Sequence, residues 1–191
     1  MSLRQRVDRA RIESFLKRLG EQFRRPARIY LVGGTTVVYE AIRQQTVDID
    51  LVLEVSSADH GELIQAIREL KDSLAINVEE ASPGDFIPLP AGYENRHEFV
   101  GRFGSLDVLH FDLYSTALSK IERGRVQDIE DVLALLRAGR IKWDRLKELF
   151  DEILPRMGKE SLRQDPVEFG QNFEALEAMR RSAPNSSGGE S

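Results

Sequence analysis

The sequence predicts an α/β (α+β) chain, with strands and helices alternating up to residue 113 and helices alone after it. Three observations carry this. Strand-like runs lie at 28–32, 48–55, 76–80, 97–103 and 106–113, and successive side chains of a strand point to opposite faces. Apolar residues at helical spacing recur around and beyond those runs, which marks helices with one buried stripe. Gly- and Pro-containing joints separate the segments,.

Residues 4–19 read as an amphipathic helix with Ile12, Phe15, Leu16 and Leu19 as its stripe and Gly20 as its C-cap,. Arg4, Arg6, Arg9 and Arg11 form a solvated face. Pro26 separates this helix from a strand at Arg28–Val32, which runs into the turn Gly33-Gly34-Thr35 and a short helix. A second strand begins at Asp48. On it Asp48, Asp50, Val52 and Glu54 share one face, and Ile49, Leu51, Leu53 and Val55 share the other,. The apolar face packs on a core. Two carboxylates are left side by side, roughly 7 Å apart by Cα.

A capping segment at 56–59 opens the next helix, which runs to about Ser73 and buries Leu63, Ile64, Ile67 and Leu70,. A short strand follows at Ile76–Glu80. Residues 81–96 carry three prolines and are either a lid or binding edge, or an ordered surface crossing,. A hairpin at 97–113 turns at Gly104-Ser105,. Ser115 to about Glu122 is helical and leads to the basic turn Arg123-Gly124-Arg125. The next helix opens at Gln127, buries Ile129, Val132, Leu133 and Leu136, and ends at Gly139. Asp128 and Asp131 suit its first turn, where the helix dipole favours acids, and Arg123 or Lys120 are their expected partners. Helices at Asp144–Leu154 and from Pro166, anchored by Phe169, Phe173 and Leu176, complete the chain,. The division expected is a core at 1–115, a helical appendage at 116–181 that completes the site, and a disordered tail at 182–191.

Composition narrows the class. The chain has 191 residues, 41% hydrophobic and 31% charged, the profile of a soluble globular protein,. It has no cysteine, which excludes a disulfide framework and a Cys-ligated zinc site and fits a reducing cytoplasm,. No secretory signal and no run of ~20 apolar residues is visible, so no membrane is expected as a partner. The net charge of -5 does not suggest a general nucleic-acid binder,. The three histidines form no ligand pattern, and His110 reads as a packed or hydrogen-bonded residue,.

The chemistry concentrates at 28–55. Adjacent carboxylates repel unless a cation sits between them. Mg²⁺ takes one or two carboxylates and completes its shell with phosphate oxygens. Gly33-Gly34 presents no Cβ and opens backbone N–H groups onto a helix N-terminus, where phosphate is favoured. Thr35 and Thr36 add hydroxyls. A metal–triphosphate site is the expected outcome.

Gly33-Gly34-Thr35 followed by Asp48-Ile49-Asp50 resembles the signature of the DNA polymerase β superfamily of nucleotidyltransferases, an apolar residue with G[GS][ST], a helix, then an Asp-apolar-Asp run. Arg43-x-x-Thr46-x-Asp48 resembles the run leading into that pair in small bacterial members, best in the uncharacterised and abortive-infection-type branch. The resemblance covers roughly residues 28–140. It implies a nucleotidyltransferase-like fold, a small mixed sheet flanked by helices. It also implies Mg²⁺-dependent transfer of a nucleoside monophosphate from an NTP to an acceptor, such as tRNA, a protein or a small molecule.

By the same resemblance, a third carboxylate comes from a strand beside the Asp48–Asp50 strand. Asp107 and Asp112 are the candidates, and they lie on opposite faces. The match of HFDLYSTALSKIERG to the strand-to-helix junction of similar sequences favours Asp112; a helix cap is its structural alternative. The implied roles are Asp48, Asp50 and Asp112 as catalytic metal ligands, Gly33, Gly34 and Thr35 as the triphosphate cradle, and Lys120 and Arg43 as its counter-charges. Asp128 and Asp131 resemble a motif kept beside the active site of abortive-infection-type members. The alternative function is a catalytically inactive nucleotidyltransferase-fold binding module, a regulator or one half of a toxin–antitoxin pair.

Overall fold

A computed structural model describes residues 6–159 and 164–182. Five strands form one mixed sheet: β1 (Ala27–Leu31), β2 (Asp48–Glu54), β3 (Asn77–Glu80), β4 (Glu98–Phe103) and β5 (Leu106–His110), in the order β3-β2-β1-β5-β4. β1 runs antiparallel to β2 and parallel to β5, and β2 runs parallel to β3. The helices are α1 (Arg9–Gln22), α2 (Gly33–Tyr39), α3 (His60–Leu74), α4 (Leu113–Arg123), α5 (Val126–Arg137), α6 (Trp143–Ile153) and α7 (Pro166–Ser182). The α/β (α+β) class, the small mixed sheet and the helical C-terminal half are those the sequence led us to expect. No helix among the described residues is long and apolar enough to cross a membrane.

One sheet face is the core. Ile29, Leu31, Ile49, Leu51, Leu106 and Val108 pack against the stripes of α1 and α3 in a single buried cluster. Burial of this kind is the dominant favourable term in folding. The other face carries Tyr30, Val32 and Phe111, and Leu89 and Tyr93 from the 81–96 segment pack on them. That segment is an ordered crossing with two 3-10 turns, at Pro83–Asp85 and Tyr93–Arg96. Helices α4 to α7 bury a second cluster, in which the rings of Phe150 and Phe173 stack at 3.9 Å.

Several boundaries differ from those expected, each for a local reason. α1 starts at Arg9, because Asp8 caps it and Val7 is bridged to Thr46 through two backbone hydrogen bonds of 2.8 Å. Gly20 is a buried residue inside α1, facing the Phe103 carbonyl, and Phe23 is the C-cap. The glycine turn is itself the first turn of α2. β5 stops at His110, and Leu113 belongs to α4, because the Asp112 carboxylate accepts from the Tyr114 and Ser115 N–H groups. Arg4 and the tail beyond Ser182 lie outside the described residues.

Candidate active site

The junction of β1 with α2 brings the glycines against the carboxylate strand. The Val32 N–H donates to the Asp50 carbonyl at 3.2 Å. Gly33 has φ +57°, which L side chains rarely adopt, and a Cβ on it would lie 2.7 Å from Asp50 Oδ2,. A Cβ on Gly34 would meet Arg43 Nη2 at 2.5 Å and Thr46 Oγ1 at 2.6 Å. Both glycines are therefore needed for close approach.

The two threonines face inward. Thr35 Oγ1 accepts from the Asp50 N–H at 2.7 Å and donates to the Asp48 carbonyl at 3.5 Å. Thr36 Oγ1 donates to the Leu31 carbonyl at 2.8 Å. Both side chains are fully buried. Their hydroxyls hold the Asp48–Asp50 backbone against the turn, and a triphosphate contact for Thr35 has no free hydroxyl to use in this conformation. His110 is packed and hydrogen-bonded, with Nε2 2.8 Å from Glu40 Oε1 and Nδ1 3.4 Å from Thr36 Oγ1.

Asp48 and Asp50 share one face of β2 and line a cleft of ≈ 770 Å³. Asp48 Oδ1 accepts from the Asn77 amide at 2.7 Å, and the same amide reaches Glu79 Oε1 at 2.7 Å. Glu79 is the register neighbour of Asp50 across the parallel β2–β3 ladder. Partners in register present side chains to the same face, so Asp48, Asp50 and Glu79 form an acidic patch. Burial, and then the charges of Asp48 and Glu79, push the Asp50 carboxyl up to about 6, against the pull of Arg123 and the Gly34 N–H. The patch thus carries repulsion that its surroundings do not fully offset, which a divalent cation relieves. Hard carboxylate oxygens are also the donor set that suits Mg²⁺. Among the described residues no three His, Cys, Asp or Glu side chains already stand as a ligand set; Asn77 bridges Asp48 and Glu79 instead.

The opposite wall is cationic. Lys120 is 1% exposed and lies 3.0 Å from Asp128 Oδ1 and 2.7 Å from Asp131 Oδ2. Arg43 reaches Asp131 at 2.9 Å, and Arg123 reaches Asp128 at 2.6 Å. Three cations thus share two carboxylates. Nε of Arg43, Nε of Arg123 and Oδ2 of Asp128 are buried without a hydrogen-bond partner. The expectation that Asp128 and Asp131 pair with Arg123 or Lys120 matches this network.

Neither expected third carboxylate joins the pair. Asp112 is fully buried, 2.8 Å from Arg96 and 2.7 Å from Ser115 Oγ, and caps α4. β1 lies between its strand and β2. Asp107 shares the face of Asp48 and Asp50 but sits at the other end of the sheet, opposite Arg28 and paired with Arg102 at 2.7 Å. The strands beside β2 are β1 and β3, and β3 supplies Glu79. A signal for it exists in the sequence: β2–α3–β3 is a strand–helix–strand unit, and such crossovers place parallel strands in one sheet.

Over residues 10–178 the chain matches the family model described as "Nucleotidyltransferase of unknown function (DUF6036)". No curated protein and no solved structure matches it significantly.

Proposed function

Because the chain belongs to that family of nucleotidyltransferases of unknown function, we propose that it transfers a nucleoside monophosphate from an NTP to an acceptor hydroxyl. Asp48, Asp50 and Glu79 would hold Mg²⁺. The observation that carries this reading is the register of Asp50 with Glu79, beside Asp48, at a cleft whose far wall is cationic.

Bound there, Mg²⁺ supplies charge neutralisation to the triphosphate and makes an acceptor hydroxyl easier to deprotonate. The chain's own groups do the rest. At the start of α2 the half-buried Gly33 would present its backbone to a phosphate, while the Gly34 N–H, which faces the Asp50 carboxylate, would hold that carboxylate in place. Arg123 and Arg43 meet triphosphate charge and stabilise what builds on the leaving pyrophosphate. Lys120 orients Asp128 and Asp131, which in turn hold Arg123 and Arg43 toward the cleft. Thr35 fixes the backbone of the carboxylate strand.

The test is incubation with each α-labelled NTP, Mg²⁺ and a fractionated cell lysate, beside Asp48→Asn. Label in RNA, protein or small molecules identifies the acceptor, and its loss in the variant ties it to this site. A second reading, an inactive binding module such as a toxin–antitoxin component or regulator, is favoured by one observation. Lys120 is already committed to two carboxylates. No label from any of the four nucleotides, with the fold intact, would select that reading.

A further inference from the structure

Arg123 is the last residue of α4 and lines the cleft of Asp48 and Asp50. Its attachment to the cationic wall is thin. Asp128 Oδ1 takes both Arg123 Nη2, at 2.6 Å, and Lys120 Nζ, at 3.0 Å, while Asp128 Oδ2 and Arg123 Nε are buried without a hydrogen-bond partner. The pair is therefore not the two-bonded fork that fixes a guanidinium plane. A single bond leaves the plane free to turn about it. Two further contacts settle where it lies. The Asn172 side-chain amide, from α7, donates to the Ile121 carbonyl at 3.0 Å and the Glu122 carbonyl at 3.2 Å. These are orphan carbonyls of the last turn of α4, so the contact fixes where the helix ends. The ring of Phe86 lies against the guanidinium, with Cζ 5.2 Å from the ring centroid, within the range of a cation–π contact.

Phe86 itself stands on a stiff support. It follows Glu79 by seven residues. The Ala81 N–H donates to the Leu51 carbonyl at 3.0 Å and carries the β2–β3 ladder one step on. Ser82 and Asp85 then cap the 3-10 turn at Pro83–Asp85 reciprocally. The Phe86 N–H donates to the Pro83 carbonyl at 3.1 Å, and the next residue, Ile87, is buried in the helical cluster. One short run of chain thus sets Glu79 on the acidic side of the cleft and an aromatic ring beside Arg123 on its cationic side. We propose that Phe86 is a positioning residue: it holds the Arg123 guanidinium in the orientation that meets a triphosphate. The entropy lost in ordering a long arginine side chain is then spent in folding and not on binding. The role toward phosphate rests on the nucleotidyltransferase reading; the restraint on Arg123 does not.

The test uses the full chain, and Mg²⁺ with inorganic triphosphate, which carries the charge without a base. Phe86→Leu keeps apolar bulk and loses the ring face, Phe86→Tyr keeps the face, and Arg123→Gln removes the cation. Should Phe86→Leu fail to fold, Phe86→Met replaces it. Nitrogen relaxation of the arginine Nε–H groups reads the restraint, with the Arg123 signal assigned by its loss in Arg123→Gln. Arg123 should be rigid in the wild type and in Phe86→Tyr, and mobile in Phe86→Leu. By calorimetry, Phe86→Leu should weaken Mg·triphosphate about fivefold or more, and Phe86→Tyr by less than about twofold. In the Arg123→Gln background Phe86→Leu should have no further effect, a non-additivity that lost packing alone does not produce. The proposal is overturned if Arg123 is as rigid in Phe86→Leu as in the wild type, if triphosphate affinity is unchanged when Arg123 is released, or if the two substitutions add. A wild type that binds no Mg·triphosphate, with Arg123 released in Phe86→Leu, overturns the phosphate role together with the nucleotidyltransferase reading and leaves a structural restraint. Wild-type binding that Phe86→Leu does not change keeps that reading and overturns the role of Phe86 alone.

Discussion

Asp50 on β2 and Glu79 on β3 are partners in a parallel ladder, with Asp48 one side-chain repeat away on the same face. Two consequences follow from this pairing. The acidic patch is a property of neighbouring strands, so it persists without metal. It is also costly without metal, since like charges are held together in a partly buried place.

That cost is measurable as pH dependence. Folded Asp50 holds its proton up to about 6, against an ordinary aspartate value of 3.8. Between those values the folded state binds more protons than the unfolded state, so stability falls as pH rises through that window and levels off above it. The ionised group costs on the order of 2 kcal/mol at neutral pH. Asp50→Asn should raise the apo melting temperature at pH 7, by about 4–8 °C for a chain of this size, and show little gain near pH 4. Melting curves in EDTA at several pH values check this. A less stable variant at pH 7 would show that the carboxylate is structural.

Glu79 and Asp112 should separate by phenotype. Glu79→Gln is expected to weaken Mg·NTP binding at least tenfold, about 1.4 kcal/mol, and to leave apo stability nearly unchanged. Asp112→Ala removes a helix cap and leaves Arg96 without its buried partner. It should cost about 3 kcal/mol or more in unfolding free energy, while the folded fraction keeps its nucleotide response. Denaturant unfolding and nucleotide thermal shifts, measured on both variants, decide the assignment. The opposite pattern would restore Asp112.

Much of this was legible in the sequence, and the exceptions share a cause. Period-two alternation places Asp48 and Asp50 on one face, because that depends only on the strand itself. The pairing of Asp128 and Asp131 with Lys120 and Arg123 is also short-range, eleven residues apart at most. Glu79 was missed because its place depends on strand order, a non-local property. Thr35 turns inward to the Asp48–Asp50 backbone and Asp112 to the start of α4, because a side chain's direction at an element junction depends on where the element ends. Asp112 lies two residues past the end of β5, which makes it a cap and not a sheet position. The packing of Leu89 and Tyr93 on the open face likewise has no local signal.

Lys120 should behave as a structural cation. It is buried between two carboxylates, each of which also holds an arginine. Lys120→Met leaves Asp128 and Asp131 short of compensation and should cost about 3–5 kcal/mol. Adding Asp128→Asn should recover part of that loss, a coupling that a double-mutant cycle reads directly. A Lys120→Met protein with wild-type stability but no Mg·NTP response would instead make Lys120 a phosphate ligand.

The two glycines should fail in different ways, because their neighbours differ. Gly33 has φ +57° and Asp50 Oδ2 stands 2.7 Å from where its Cβ would be. Gly33→Ala should therefore lose stability by about 1 kcal/mol or more, from backbone strain alone. Gly34 has no such backbone demand. Its Cβ would displace the Arg43 guanidinium, which is bound to Asp131, and crowd the Thr46 hydroxyl. Gly34→Ala should thus leave most of the melting temperature in place and raise the Mg·NTP dissociation constant by about tenfold. Thermal melts with and without Mg·NTP measure both quantities at once. If the Gly34 variant keeps the full nucleotide-dependent shift, then Arg43 does not meet the triphosphate and the cradle is confined to the backbone of Gly33.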